Sequence, residues 1–222
     1  MKLATALPFL FSLAWIGFAS ADAGFKPPAS GPLTVAFVVS EGANVIDFSG
    51  PWEVFQDTSR PGTEESGFRL FTVSEARLPI TLTGGLKIVP DYTFADAPPA
   101  DIVVVGANGR SEAMIPWLRK VGADPNTTVM SVCTGAFKVA AAGLFDGKRA
   151  TTHHDFLDAF ARRFPKVELD RGARYVQSGP HLFSAGGLTS GIDLALHMVE
   201  RYYGPDAAKA TAAYMEYRRA TP

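Results

Sequence analysis

The single cysteine of this 222-residue chain, Cys133, stands between a strand pattern and a helix pattern. The apolar run 127–132 ends directly before it, and the helix-forming segment 134–145 begins directly after it. A sulfur at the start of a helix lies near unpaired N–H groups and the positive end of the helix dipole. Such settings lower a cysteine pKa from about 8.5 to roughly 3.5–7.5. The position therefore favours an activated thiolate at a sharp strand-to-helix turn.

The two residues after the cysteine fit the same chemistry. Thr134 and Gly135 offer backbone N–H groups that can stabilise a negatively charged oxygen, and Gly135 permits close approach. The alternative is a buried cysteine with a packing role only, because isolated cysteines are among the most buried residues. Spacing alone leaves both interpretations open.

Strand and helix patterns alternate along the chain. Apolar or alternating runs predict strands at 33–39, 68–74, 101–105 and 127–132, and a hairpin at 80–89. Helical spacing covers 45–58, 113–121, 134–145, 155–164, 191–203 and 206–219. This alternation predicts one α/β domain over 33–222, a three-layer sandwich with a mostly parallel central sheet and helices on both faces. Ligands bind such sheets beyond the carboxyl ends of the strands.

The composition fits a folded protein and excludes several classes of partner. The chain is 47% hydrophobic and 19% charged, as in ordinary globular proteins. Its formal net charge of -1 argues against nucleic acid or an anionic membrane as the main partner, since both select for clustered Lys and Arg. His154, His181 and His197 have no partner at metal-ligand spacing. Adjacent His153 and His154 would point apart on any regular element, so we expect no metal.

Four segments, in order, resemble motifs of the ThiJ/PfpI superfamily. They are SVCTG at 131–135, VIDFSGPWEVF at 45–55, AAGLFDGKRATTH at 141–153 and GGLTSGIDLAL at 186–196. The resemblance covers 33–204 and is nearest to the branch that contains isonitrile hydratase and the sensor domains of AraC-type regulators. It implies a flavodoxin-like, class I glutamine amidotransferase-like fold, no cofactor, a small-molecule substrate and a homodimer.

The resemblance also implies a catalytic pair of Cys133 and Asp47, with Thr134 beside the thiol. Asp47 follows the first predicted strand by a few residues, so we expect it at the same edge of the sheet. Burial beside a thiolate raises a carboxyl pKa, which suits a proton donor near neutral pH. The alternative role for Asp47 is a helix N-cap. Glu53, in the same predicted helix, is expected to be solvated or structural.

Two further predictions come from matching the motifs. His153 ends the T-T-H motif and could be the base of a Cys–His pair; the alternative is a histidine hydrogen-bonded near the end of the sheet. Relatives carry P-G-G after the strand at 101–105, whereas this chain has Gly106-Ala107-Asn108. We expect Ala107 to offer its N–H to an oxyanion, and Asn108 to donate from its side chain or to narrow the pocket.

Three functions remain open from the sequence. The leading one is a hydro-lyase that converts a small isonitrile to an N-substituted formamide through Cys133 and Asp47. The second is a Cys–His amidase or glyoxalase-like enzyme that uses His153. The third is a thiol- or ligand-sensing module without catalysis.

Residues 1–23 predict a secretory signal peptide. Lys2 precedes the uncharged apolar stretch 3–19, and 19–21 has the small-x-small pattern that a signal peptidase accepts. The alternative is a membrane anchor, but the stretch is at the short limit for spanning a bilayer and contains Pro8. Residues 24–32 then form a linker rich in Pro, Gly and Ala. We expect an exported protein, periplasmic or secreted, with no membrane attachment after cleavage and no access to DNA.

We predict that protein purified from its native host lacks Met1 to Ala21, because the peptidase cuts after the small residues. Intact-mass spectrometry measures this directly. A mass that includes the whole N-terminal segment would contradict the prediction.

Overall fold

The structure, a computed structural model, describes residues 31–219. The predicted signal peptide and residues 24–30 of the predicted linker lie outside this part of the chain. Its strands are β1 (Leu33–Val38), β2 (Phe68–Ser74), β3 (Ile80–Thr81), β4 (Lys87–Ile88), β5 (Tyr92–Thr93), β6 (Ile102–Val105), β7 (Thr128–Val132), β8 (Arg149–Ala150), β9 (Glu168–Leu169), β10 (Tyr175–Gly179) and β11 (Leu182–Ala185). Its α-helices are α1 (Val45–Gln56), α2 (Met114–Val121), α3 (Gly135–Ala141), α4 (Leu157–Arg163), α5 (Ser190–Tyr203) and α6 (Pro205–Tyr214).

The central sheet contains seven strands in the order β10-β11-β7-β6-β1-β2-β5. Every neighbouring pair is parallel except β10 and β11, which are antiparallel. Val35 pairs with Ile102, and Ile102 pairs with Thr128, so β1, β6 and β7 run side by side in register. Their carboxyl ends therefore meet at one edge, where parallel sheets bind ligands.

Helices cover both faces of this sheet, which explains why the central strands are almost continuously apolar. One face packs against α1, α5 and α6 through residues such as Phe37, Phe55 and Leu194. The other face packs against α2, α3 and α4 through residues such as Leu118 and Phe160. The predicted α/β sandwich with a mostly parallel sheet is confirmed. Within residues 31–219 no helix is long and apolar enough to cross a bilayer.

Several element bounds differ from the sequence prediction. Helix α3 ends at Ala141 rather than at 145, because Gly143 adopts a φ of 82°, the left-handed conformation that ends helices. The final helix ends at Tyr214 rather than at 219, and Glu216 turns the chain with a φ of 50°. Strands β10 and β11 were not predicted, because their pairing with the sheet is made by residues distant in sequence.

Helix α3 begins in direct contact with the end of β6. A Cβ added at Gly135 would lie 1.9 Å from the carbonyl oxygen of Val105 and 2.7 Å from that of Gly106. Only a residue without a side chain allows this approach. The contact fixes the start of α3, and Cys133 just before it, against the carboxyl end of the neighbouring strand.

We predict that Gly135→Ala lowers the free energy of unfolding by about 1–3 kcal/mol or more, because the new Cβ overlaps backbone atoms that cannot rotate away. Gly172→Ala is the matched control, since a Cβ there meets nothing within 4 Å and its φ lies outside the left-handed region. Denaturant unfolding followed by circular dichroism measures both. Equal stability of the two variants would contradict the close contact.

Candidate active site

Cys133 occupies a strained turn between β7 and α3. Its φ of 58° lies in the left-handed region that residues other than glycine rarely adopt. The Cys133 N–H donates to the carbonyl of Gly186 at 2.8 Å, and its own carbonyl accepts from the Thr152 hydroxyl at 2.8 Å. Two other segments thus hold the turn in place. This is the geometry of a nucleophile elbow, which aims one side chain from the edge of the sheet.

The Asp47 side chain is fully buried in the first turn of α1. It is not the helix cap, because Asn44 takes that role and accepts a hydrogen bond from the Ile46 N–H at 3.2 Å. One carboxyl oxygen of Asp47, Oδ2, accepts from the Ala107 N–H at 2.9 Å. The other, Oδ1, is buried and has no partner at full hydrogen-bond geometry among residues 31–219. The Cys133 thiol and the Leu188 amide are nonetheless close enough to influence this carboxyl.

Burial raises the pKa of the Asp47 carboxyl above its ordinary value. The Ala107 N–H, the contact with the Cys133 thiol and the nearby His153 ring oppose this rise without cancelling it. A carboxyl pKa raised toward neutrality suits a group that both accepts and donates protons during a reaction.

Burial, and after it the negative charge of Asp47, raises the pKa of the Cys133 thiol to about 11. The backbone N–H groups of Thr134 and Leu188 act in the opposite direction but are outweighed. The expectation of a resting thiolate is therefore wrong for this site, because loss of water and a facing carboxylate outweigh the start of a short helix. Ionising both groups would place two negative charges in contact, so the thiol keeps its proton when the carboxyl is ionised.

The backbone of Leu188 is a component of the site that sequence reasoning missed. Its φ of 54° is left-handed, and its amide influences both Asp47 and Cys133. The available signal was the pair Gly186-Gly187 directly before it, since paired glycines permit close backbone approach. A Cβ on Gly187 would lie only 2.1 Å from the His153 ring.

The segment after β6 has a different role from the one expected. The Ala107 N–H is used by Asp47. The Asn108 amide donates to the carbonyls of Val38 and Gly106, both at 3.0 Å, and its oxygen accepts from Ser40 at 3.0 Å. Both donors therefore have partners within the protein, which overturns the expectation that they face a substrate oxyanion. They position the Asp47 carboxyl and fix the loop instead.

His153 lies near the pair but is not bonded to the thiol. Its Nδ1 accepts from the Asp155 N–H at 3.2 Å, and its ring packs edge-on against Phe156. No hydrogen bond joins it to Cys133 among the described residues, so the structure places no Cys–His pair there. Its ring instead lies close enough to Asp47 to act electrostatically on that carboxyl.

The remaining candidates lie elsewhere, with one exception. His181 contacts Thr128 at the opposite end of the sheet. His197 packs between aromatic rings of β10 and β11. Glu53 is exposed and accepts a hydrogen bond from the Gln56 side chain. The exception is His154, whose ring stacks on that of His153 with centroids 4.4 Å apart. The expectation that these two rings point apart is wrong, because His154 begins a 3-10 turn rather than continuing a regular element.

A cleft of about 350 Å³ adjoins the pair on the side of β8 and the loop before α5. Thr152, His153 and Leu188 line it, whereas Asp47 and Cys133 do not. Only 5% of Cys133 is exposed. Leu188, which lines the cleft and whose amide acts on the Cys133 thiol, connects the cleft with the pair.

The site is a strained elbow that carries a buried thiol–carboxyl pair at the carboxyl edge of a flavodoxin-like sheet. This combination places the chain in a class of cysteine-containing α/β proteins. The chain belongs to the DJ-1/PfpI family, whose model matches residues 33–201. It is 33% identical to isonitrile hydratase from Pseudomonas putida, over 86% of this chain and 81% of that protein.

Other relatives show how varied the family is. The solved structure of a THiJ/PfpI family protein from Pseudomonas syringae is 27% identical, with a TM-score of 0.72 over 88% of this chain and 79% of that chain. The HTH-type transcriptional regulator CdhR from Pseudomonas aeruginosa is 28% identical over 78% of this chain. The matched region spans 51% of the regulator's length. The chain is therefore similar both to an enzyme and to part of a transcriptional regulator.

We predict that Asp47→Asn lowers the apparent pKa of Cys133 below the value of about 11, because the negative charge that helps to raise it is removed. Alkylation of Cys133 at a fixed, mildly alkaline pH then becomes faster. The pH dependence of iodoacetamide labelling measures the pKa, and Glu53→Gln, an exposed carboxylate of the same helix, is the control. An unchanged or higher pKa in Asp47→Asn would refute the coupling.

Proposed function

We propose that this protein is a cysteine-dependent enzyme that hydrates a small isonitrile, R–N≡C, to an N-substituted formamide. The observation that carries the proposal is the buried Cys133–Asp47 pair, which combines a nucleophile with an acid that shares its proton. Similarity to isonitrile hydratase over most of both chains supports it. The proposal includes export through residues 1–23 and a homodimeric state.

The first half of the reaction uses the shared proton twice. The Cys133 sulfur attacks the terminal carbon of the isonitrile while its proton passes to the Asp47 carboxylate. The carbon gains negative charge as the C–S bond forms, and Asp47 returns the proton to that carbon. The product is a thioimidate, Cys133–S–CH=N–R, beside an ionised carboxylate.

The second half adds water and releases the sulfur. Asp47 removes a proton from a water molecule while the water oxygen adds to the thioimidate carbon. Asp47 then gives that proton to the nitrogen of the thioimidate. The tetrahedral species Cys133–S–CH(OH)–NH–R then loses its C–S bond, forming R–NH–CHO. The hydroxyl proton returns to the thiol–carboxyl pair. The sum is R–N≡C plus water giving the formamide, with the enzyme unchanged and no cofactor consumed.

The geometry of the site favours this reaction over amide hydrolysis. An isonitrile presents a linear, one-atom-wide terminus, which suits a sulfur that is 5% exposed. An amide presents a broader planar group, and two of the donors expected for its oxyanion, those of Ala107 and Asn108, are already used. His153 is bonded to its own backbone turn rather than to Cys133.

A sensing role is the second candidate, and similarity to about half of a transcriptional regulator supports it. Reaction with peroxide would require Cys133 to lose its proton, so Asp47 would have to accept it there as in the proposed hydration. Binding of an isonitrile without turnover would support sensing over catalysis.

We predict that the purified protein converts an alkyl isonitrile to the corresponding formamide. Cys133→Ala abolishes turnover, and Asp47→Asn lowers it by roughly 100-fold or more, because proton transfer to and from carbon is lost. His153→Asn keeps an acceptor for the Asp155 N–H and retains activity within about an order of magnitude. The rate of formamide formation by the unmodified protein and the three variants is measured by chromatography.

Equal turnover by Cys133→Ala would end the proposal. Loss of activity in His153→Asn with Asp47→Asn spared would instead favour a Cys–His enzyme.

A further inference from the structure

Three consecutive side chains converge at the rim of the cleft, in the turn that leads into α4. His153, His154 and Asp155 each place one potential ligand atom within 4.8 Å of the other two. His154 Nε2 lies 3.1 Å from one Asp155 oxygen, and His153 Nδ1 lies 3.8 Å from the other. The convergence arises because His153 is extended whereas His154 begins a 3-10 turn, so the two rings stack at an interplanar angle of 25°.

We propose that His153, His154 and Asp155 bind one divalent transition-metal ion, with Zn²⁺ as the preferred physiological metal class. Two imidazoles and one carboxylate form a donor set that suits Zn²⁺, Co²⁺, Ni²⁺ and Cu²⁺. Mg²⁺ and Ca²⁺ prefer oxygen donors and are not expected to bind. Three protein ligands leave a coordination position for water.

The Nδ1 atom of His153 has a lone pair that can bind a metal. Its Nδ1 accepts a hydrogen bond from the Asp155 N–H, so this nitrogen carries no proton and is in the form that binds metal. A bound ion would replace the N–H as the partner of that lone pair. The same nitrogen faces the Asp155 carboxylate.

One ligand is fixed and two can adjust. The His153 side chain is 14% exposed and is confined by Phe156 and Gly187, whereas those of His154 and Asp155 are 79% and 68% exposed. Tetrahedral zinc with Zn–N bonds of about 2.0–2.1 Å places its ligand atoms roughly 3.4 Å apart. Because an imidazole binds metal in the plane of its ring, the exposed His154 ring must rotate out of the stack to share an ion with His153, and its exposure leaves it free to do so without repacking the core.

The charges around the cleft are compatible with a cation. Arg171 and Arg174 line the same cleft. Arg171 pairs with Asp158 at 2.8 Å, and Arg174 pairs with buried Asp193. Because each guanidinium has a carboxylate partner, neither leaves an uncompensated positive charge facing the Asp155 carboxylate.

Calorimetric titration of Zn²⁺, with Co²⁺ absorption as a second probe, tests the proposal. Both use a Cys133→Ser background, which removes the thiol as a competing ligand and gives a readout independent of isonitrile turnover. We expect one Zn²⁺ per chain at neutral pH. His154→Ala and Asp155→Asn should each weaken binding by at least about tenfold, since each loses one of three ligands. Mg²⁺ should give no heat of binding.

Glu168→Gln is the control, because Glu168 is a similarly exposed carboxylate that does not line the cleft, and its neighbour Arg149 keeps Asp170 as a partner. It should bind Zn²⁺ with the affinity of the background. Circular dichroism checks that His154→Ala remains folded, as expected for an exposed side chain. Absence of Zn²⁺ binding to the background, or equal affinity in His154→Ala, would overturn the proposal.

Discussion

One proton shared between two buried acids is the constraint on which this site depends. The Asp47 carboxyl is fully buried and the Cys133 thiol is 5% exposed, so water stabilises the charge of neither. Ionising one group raises the cost of ionising the other. The pair therefore holds a nucleophile and an acid together, as the proposed hydration requires. A solvent-exposed cysteine could be more ionised, but it would have no proton held beside it.

The fold creates this pair by bringing segments from three parts of the chain to one sheet edge. Asp47 comes from the helix after β1, and Cys133 from the elbow after β7. The loop after β6 supplies the Ala107 N–H that orients the carboxyl. Glycines make the approach sterically possible: a Cβ on Gly106 would lie 2.8 Å from the Cβ of Asp47, and one on Gly135 would overlap β6.

Features that depend on neighbouring residues in the sequence could be predicted, whereas features that depend on contacts between distant segments could not. The apolar run before Cys133 and the helix pattern after it located the elbow, and the family resemblance added Asp47. The direction of the thiol pKa was missed, because it depends on burial and on a carboxylate distant in sequence. The backbone of Leu188 and the antiparallel strand β10 were missed for the same reason. The stacking of His153 on His154 required knowing that a turn, not a regular element, joins them.

The protonation state of Cys133 tests the central claim most directly. Because the chain contains one cysteine, the S–H stretching band in its infrared spectrum reports this residue alone. The account predicts that the band is present at neutral and mildly alkaline pH and that it shifts in Asp47→Asn, which removes the facing carboxylate. A folded protein without an S–H band at neutral pH would hold a thiolate, and the shared-proton description of the site would be wrong.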